Sequence, residues 1–303
     1  MKVDKCRVCN EGIGEFMTYG QMPIANGFLK EKIDNEYYFE MSPAFCSSCY
    51  SFQLVDQPDA EQMFHDEYAF FSRQSKFMQI HFKSYADWVN ENYSQAENDF
   101  VVEIGSNDGI MLENFSKNNI KHLGVDPSAN VVEVAKSFGV NSQVSFFGLE
   151  SSEQIRNDYG EASAIISANV MCHLPDLNDI AKGAFNLLNE KGVLIFEDPY
   201  LGSMLEKVSY DQIYDEHVYL FNCTAVQDVF KRYGLELFDC KHLDTHGGSM
   251  RYYFKKSSSV QITSNLSEQI DIEDTMGIKN IETYKKFSEN YEFSKSEFKK
   301  ILE

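Results

Sequence analysis

Four of the seven cysteines fall in two short pairs, Cys6-Arg-Val-Cys9 and Cys46-Ser-Ser-Cys49. A C-x-x-C unit sets two thiolates at adjacent corners of a tetrahedron from one tight knuckle, and two units complete a four-sulfur shell that suits zinc best. A single pair could be buried thiols or a redox couple; two pairs in so short a stretch favour a metal. A closed shell has no open position for substrate. The predicted role of Cys6, Cys9, Cys46 and Cys49 is therefore structural zinc, with Cys172, Cys223 and Cys240 left to the core. The long spacer between the pairs requires Met22-Pro23-Ile24-Ala25-Asn26 to loop out and return.

A second cluster begins at Val101-Val102-Glu103-Ile104-Gly105-Ser106-Asn107-Asp108-Gly109. It reads as the end of a strand and the opening of a helix, where exposed backbone N–H groups and small residues let a nucleotide-type cofactor approach closely. Gly105 and Gly109 flank Asn107 without the third glycine of G-x-G-x-x-G, which weakens an NAD-dependent oxidoreductase. Gly124-Val125-Asp126 then places a carboxylate about 20 residues beyond the loop, where an acid reaches ribose hydroxyls. Alone, the loop is a tight turn common in α/β proteins; with Asp126 it predicts cofactor binding.

The elements that must hold these clusters follow from pattern. The 303 residues suggest roughly two domains at about 150 residues each. With 43% hydrophobic and 24% charged residues the chain has globular composition, and disorder is excluded as its main theme. No apolar run approaches the ~18 residues of a membrane span, and the start carries no leader, so no membrane partner and a cytoplasmic location are expected. Reduced zinc thiolates agree with that placement. The excess of 47 acids over 27 bases, a net charge of −20, repels polyanions and argues against nucleic acid. Oligomeric state is open.

Residues 1–57 suit small β-hairpins tied by metal. Residues 58–98 read as a helical connector, with apolar Phe77, Ile80, Phe82, Tyr85, Trp88 and Val89 at helical spacing over 75–93. Over 99–256, apolar runs at 100–104, 123–125, 144–147, 164–168 and 193–196 alternate with amphipathic segments, which predicts an α/β fold with a parallel sheet. Two more runs, 235–240 and 249–254, are joined by a short loop and predict an antiparallel final hairpin. The polar, helical 257–303 has too few apolar residues for a core of its own; it either packs on the rest or leads elsewhere.

This seven-strand order resembles the class I methyltransferase fold, a Rossmann-like sheet, and an acid just before the glycine loop, Glu103, resembles S-adenosylmethionine sites. Asn169-Val170-Met171-Cys172-His173 would border that cofactor. Together with the cysteine pairs, Met22–Asn26, Glu197-Asp198-Pro199-Tyr200, residues 211–217 and His246-Gly247-Gly248-Ser249-Met250-Arg251, the chain resembles sugar C-methyltransferases that act on nucleotide-linked deoxysugars. The matching stretches run in order from residue 6 to residue 251.

The resemblance implies an amino-terminal zinc-binding module, S-adenosylmethionine as cofactor and a nucleotide-linked sugar as partner. The family's Asp-x-Ile-Tyr-His-Glu-His stretch corresponds to Asp211-Gln212-Ile213-Tyr214-Asp215-Glu216-His217, so His217 inherits the role of base beside a sugar ketone. Tyr214 and Glu216 would orient it or bind the sugar. Glu103, Gly105, Asn107, Gly109, Asp126 and Asn169 would hold the cofactor; Tyr68, His173, Tyr200, His246 and Arg251 the substrate, His246 and Arg251 at an enolate oxygen or a phosphate. Without the resemblance, residues 214–221 read as an aromatic helix in which His217 is a core residue.

Three departures from the family qualify this picture. Asp215 replaces a histidine, and Tyr68-Ala69-Phe70-Phe71-Ser72-Arg73 replaces a Tyr-x-Tyr-x-Ser-Ser element, both where the family touches its sugar. The family also continues past residue 303 into another nucleotide-binding-like domain, so this chain is a cut fragment or a short form with a different substrate. Transfer to oxygen, with Asp215 assisting deprotonation of a hydroxyl, is the rival chemistry, and a zinc-bearing scaffold without catalysis is the rival class.

Overall fold

The computed structural model describes residues 2–29, 31, 34–63, 69–256 and 260–303. Each cysteine pair closes on itself in the same way. Asn10 donates its N–H to the Cys6 carbonyl at 2.9 Å, and Tyr50 donates to that of Cys46 at 2.8 Å. Both residues take left-handed φ, 63° and 59°, to make the turn. Around the knuckles lie β1 (Gly14–Glu15), β2 (Gln21–Pro23), β3 (Tyr38–Glu40), β4 (Pro43–Phe45) and β5 (Phe52–Leu54). β4 pairs with β1 and β5, and β2 with β3, all antiparallel. Strands of two or three residues cannot sustain a core unaided, which is why the sulfur cluster matters here.

After α1 (Ala60–Met63), α2 (Lys76–Tyr93) forms where the helix was expected, with the Ser75 hydroxyl accepting the Met78 N–H at 3.3 Å as its N-cap. The buried stripe is displaced from the expected one. Met78, Phe82, Tyr85, Ala86 and Val89 face the core, whereas Phe77 and Ile80 are 63% and 73% exposed. A four-three-four spacing from Met78 fits the helical repeat better than the run beginning at Phe77.

The main sheet contains β6 (Phe100–Ile104), β7 (Lys121–Asp126), β8 (Ser142–Val144), β9 (Ala162–Ala168), β10 (Leu188–Pro199), β12 (Leu235–Leu243) and β13 (Ser249–Lys256). Its order is β8-β7-β6-β9-β10-β13-β12, with β13 antiparallel to both neighbours. This is the seven-stranded class I methyltransferase arrangement. Helices α3 (Glu113–Lys117), α4 (Ala129–Ser137), α5 (Leu149–Tyr159), α6 (Leu177–Leu187), α7 (Leu201–Lys207) and α8 (Cys223–Lys231) occupy the connections. The apolar run 144–147 is not the strand that was expected. β8 is an edge strand ending at Val144, and the chain turns there with the Ser145 N–H on the Asp126 carbonyl, 3.0 Å.

β11 (Tyr219–Leu220) leaves the main sheet altogether and pairs antiparallel with β5, which extends the cysteine-bearing sheet to β1-β4-β5-β11. The tail packs on the rest. α9 (Ser264–Met276) lies against β12, and its buried Glu273 accepts the N–H groups of Cys223 and Thr224 at 2.7 and 3.0 Å at the start of α8. α10 (Ile281–Leu302) returns to the cysteine-bearing sheet, stacking Tyr284 on Phe45 at 4.4 Å and setting Tyr291 edge-on to Tyr19 at 5.1 Å. Among the described residues no helix is long and apolar enough to cross a membrane.

Candidate functional site

The sulfurs of Cys6, Cys9, Cys46 and Cys49 lie within 4.8 Å of one another, with Cys6–Cys49 and Cys9–Cys46 at 3.5 Å. A zinc tetrahedron with bonds of about 2.3 Å has edges of about 3.8 Å, so the cluster fits the ion with small adjustments. Gln53 Nε2 donates to Cys6 Sγ at 3.1 Å and the Val8 N–H at 3.4 Å, the support a thiolate needs. Four sulfurs fill the shell, and zinc there is structural.

A cavity of about 440 Å³ opens at the carboxyl ends of β6, β7 and β9, the crevice where α/β sheets bind ligands. Gly105, Asn107, Asp126 and Asn169 line it. Gly105 has φ +67°, and a Cβ there would meet Val170 Cγ2 at 2.3 Å. Asn107 and Asn169 also take left-handed φ, 46° and 56°. Asp126 accepts the Asn107 N–H on Oδ2 and the Ser128 N–H on Oδ1, each at 2.9 Å, which fixes the carboxylate and leaves further lone pairs for a diol. With Phe146 and Phe147 as apolar wall, this set fits S-adenosylmethionine: Asp126 for the ribose, the glycine crossing beside it, and rings for adenine.

We expect Gly105→Val to bind S-adenosylhomocysteine at least about tenfold more weakly in a calorimetric titration. Left-handed backbone costs a side chain roughly 1–2 kcal/mol before any clash, and 1.4 kcal/mol is tenfold in affinity. Wild-type affinity in the variant would remove the loop from the cofactor site.

The segment between α7 and β11 lines the same cavity. It is neither helix nor plain loop: the His217 N–H donates to the Tyr214 carbonyl at 3.0 Å, and β11 begins two residues later. His217 Nδ1 is 2.8 Å from the Gln212 carbonyl oxygen. A carbonyl only accepts, so Nδ1 carries the hydrogen and Nε2 is left with its lone pair. Burial pushes His217 down to about 4, so the ring is neutral at pH 7 and competent as a base. Tyr214 and His173 flank it with ring centroids at 4.2 and 5.4 Å. His173, Tyr214, Glu216, His217 and His246 all line the cavity, His246 from a left-handed turn with φ 51°.

Other residues singled out in the sequence lie elsewhere. Glu103 is buried in β6 outside the lining, and burial, with Asp108 and Asp126 nearby, lifts it well above the usual carboxylate range. A Cβ on Gly109 would meet the Ala135 Cβ at 2.9 Å, so that glycine lets the loop pack on α4. Tyr200 is buried toward α9, its hydroxyl 3.2 Å from Glu273 Oε1. Arg251 is no free cation for a substrate: it gives Nε and Nη2 to Glu197 Oε2 at 2.8 and 2.6 Å and stacks at 3.6 Å over Tyr85. The second Glu197 oxygen pairs with His81. Arg73 faces the glycine loop, with its N–H on Asp108 Oδ2 at 2.8 Å and its guanidinium on Glu113 at 2.5 Å. Tyr68 lies outside the described residues.

The structure adds residues that were not singled out as site residues. Ala25 and Asn26 line the cavity from the cysteine-bearing module. Asn26 Nδ2 donates to Glu216 Oε1 at 2.5 Å, and the Ala25 N–H to Asp215 Oδ1 at 3.1 Å. The signal was the Met22–Asn26 loop itself, which the spacing required to leave the module and return. Phe70 and Ser72 line it too, tied to Asn107 through the Phe70 carbonyl and the Ser72 N–H, both at 3.1 Å.

Residues 76–239 match the family described as methyltransferase domain, residues 6–64 the family described as "Putative zinc binding domain", and residues 244–303 the family described as C-methyltransferase C-terminal domain. The C-methyltransferase NovU of Streptomyces niveus is 27% identical over 304 residues, 99% of this chain and 72% of that protein. Among solved structures, an S-adenosylmethionine-dependent methyltransferase of Clostridium acetobutylicum aligns with a TM-score of 0.46 and 16% identity over 58% of this chain and 92% of its own. Magnesium protoporphyrin IX methyltransferase of Synechocystis, solved with S-adenosylhomocysteine, aligns with a TM-score of 0.46 and 14% identity over 59% and 83%.

Proposed function

From the premise that this chain belongs to the methyltransferase domain family and is an S-adenosylmethionine-dependent methyltransferase, we propose that its acceptor is a nucleotide-linked or otherwise activated sugar, methylated on carbon beside a ketone. The observation that carries this reading is His217: a buried, neutral imidazole, its Nδ1–H held by the Gln212 carbonyl, lining the same cavity as Gly105 and Asp126. Bound S-adenosylmethionine supplies an electrophilic methyl on a sulfonium sulfur.

His217 Nε2 takes the proton from the carbon adjacent to the carbonyl, and the electron pair of that C–H bond passes to the carbonyl oxygen as an enolate. Gly105, Asn107 and Asp126 would hold the cofactor whose methyl the enolate carbon would accept, the C–S electron pair staying with sulfur. Tyr214 packs against the His217 ring and limits its swing. His246, kept neutral because burial lowers its pKa, offers an N–H toward the developing oxyanion from the cavity wall. Asp215 would assist a hydroxyl acceptor, but its Oδ1 is engaged by Ala25 and the residue does not line the cavity, which favours carbon over oxygen. The relative from Streptomyces niveus, a C-methyltransferase by name, supports the same choice.

The test is transfer of a labelled methyl group to a panel of nucleotide-linked sugars with and without a ketone. Label is expected only in the ketone-bearing members. Transfer to sugars lacking a carbonyl, or to none of the panel, would overturn the reading.

A further inference from the structure

We propose that Asp215 is a positioning residue that latches Ala25 and Asn26 over the cavity, so that the cysteine-bearing module and the His217 segment act as one piece. The inference rests on the reading of His217 as the base, and it concerns the position where this chain carries an acid in place of the family's histidine.

Two consecutive acids hold two consecutive residues. Asp215 Oδ1 accepts the Ala25 N–H at 3.1 Å, and Glu216 Oε1 accepts from Asn26 Nδ2 at 2.5 Å. Asp215 is 1% exposed yet absent from the cavity wall, whereas Ala25 and Asn26 form part of that wall. Its carboxylate thus bears on the cavity through the loop it holds. Among the described residues the loop has little else to fix it. β2 and β3 pair over three residues, Gly27 closes a turn onto the Ile24 carbonyl at 3.2 Å, and Phe28 just beyond is 78% exposed.

On the other side of His217, the Leu54 N–H donates to the Val218 carbonyl at 2.8 Å, and β11 pairs Tyr219 with Gln53 and Leu220 with Phe52. Gln53 in turn reaches Cys6 Sγ at 3.1 Å. The base therefore sits between two attachments to the same module, a side-chain latch two residues before it and, one residue after, a backbone hydrogen bond that leads into the β5–β11 pairing. Ala25 and Asn26 line this cavity beside the His217 segment, so the latch sets how closely an acceptor carbon approaches Nε2, where misplacement by an ångström is costly.

The test compares Asp215→Asn with Asp215→Ala in the full chain. Asparagine keeps an oxygen at Oδ1 for the Ala25 N–H; alanine does not. We expect Asp215→Asn to keep hydrogen-exchange protection at the Ala25 amide and turnover within about threefold of wild type. Asp215→Ala should lose that protection and raise the acceptor KM roughly tenfold, the effect of one hydrogen bond, with unchanged affinity for S-adenosylhomocysteine. An equal loss in both variants would make the charge, not the latch, the functional feature and overturn the proposal. So would undiminished Ala25 protection in Asp215→Ala, or a fall in its S-adenosylhomocysteine affinity. Amide protection is read without an acceptor, so a failure of the sugar assignment leaves the latch separately testable.

Discussion

Replacing His217 with alanine lowers kcat by about 10²–10⁴-fold, the usual contribution of a positioned general base, while S-adenosylhomocysteine binds as it does to the wild type. The separation follows from geometry. His217 hangs between the Gln212 carbonyl and the rings of Tyr214 and His173, whereas the proposed cofactor residues Gly105, Asn107 and Asp126 line the cavity from the ends of β6 and β7. Single-turnover methyl transfer read beside a calorimetric titration checks both halves. Equal turnover in the variant would remove His217 from the base role; lost cofactor affinity would make it a structural residue.

The pH dependence has a definite sign. In the proposed base role the neutral ring is the active form, and burial holds its pKa at about 4, so kcat/KM is expected to rise as pH climbs through about 4 and to be flat across neutrality. Stability moves with it. Below about 6.5 the unfolded chain binds a proton that the folded His217 refuses until about 4, so this residue costs stability progressively over that window and nothing above it.

Removing the metal is expected to abolish turnover while leaving cofactor affinity within about tenfold of the native value. Structural zinc supplies about 10–16 kcal/mol in zinc-finger peptides, far more than the short strands of this module can gain by packing. Loss of the sulfur cluster releases Gln53 from Cys6, then the β5–β11 pairing, and with it the segment that carries His217. The cofactor loop is fastened to the main sheet, with the Gly105 N–H on the Val125 carbonyl at 2.8 Å, and does not depend on the module. Chelation, or Cys46→Ser, followed by metal analysis, turnover and titration reads all three. A metal-free protein with native turnover would show that the sheet folds without its ion.

The alternation of apolar runs with helical segments made the seven-strand sheet legible, and the cysteine spacing made the knuckles legible, because both are local patterns. The family resemblance is borne out by the matches along the chain. What local pattern could not carry is direction. β13 is buried along most of its length, so no polar alternation tells which face Arg251 takes, and it proved to pair with Glu197, its cross-strand neighbour. Tyr200 and Glu273 meet across 73 residues of sequence, and Asp215 and Ala25 across 190; only the tertiary fold brings such pairs together. Residues 214–221, readable as an aromatic helix, form a turn and a strand because β5 offers an open edge to Tyr219 and Leu220. The tail was ambiguous for a related reason: Tyr284, Phe287 and Tyr291 form one helical stripe whose partners lie at the far end of the chain.

The most direct measurement follows an acceptor sugar in which the one hydrogen on the carbon beside its ketone is deuterium. If His217 removes that atom and the same carbon takes the methyl, each methylated product molecule has lost the deuterium, and the His217→Ala protein forms little product. A methylated product that keeps the deuterium would place the methyl on oxygen and contradict base-driven transfer to carbon.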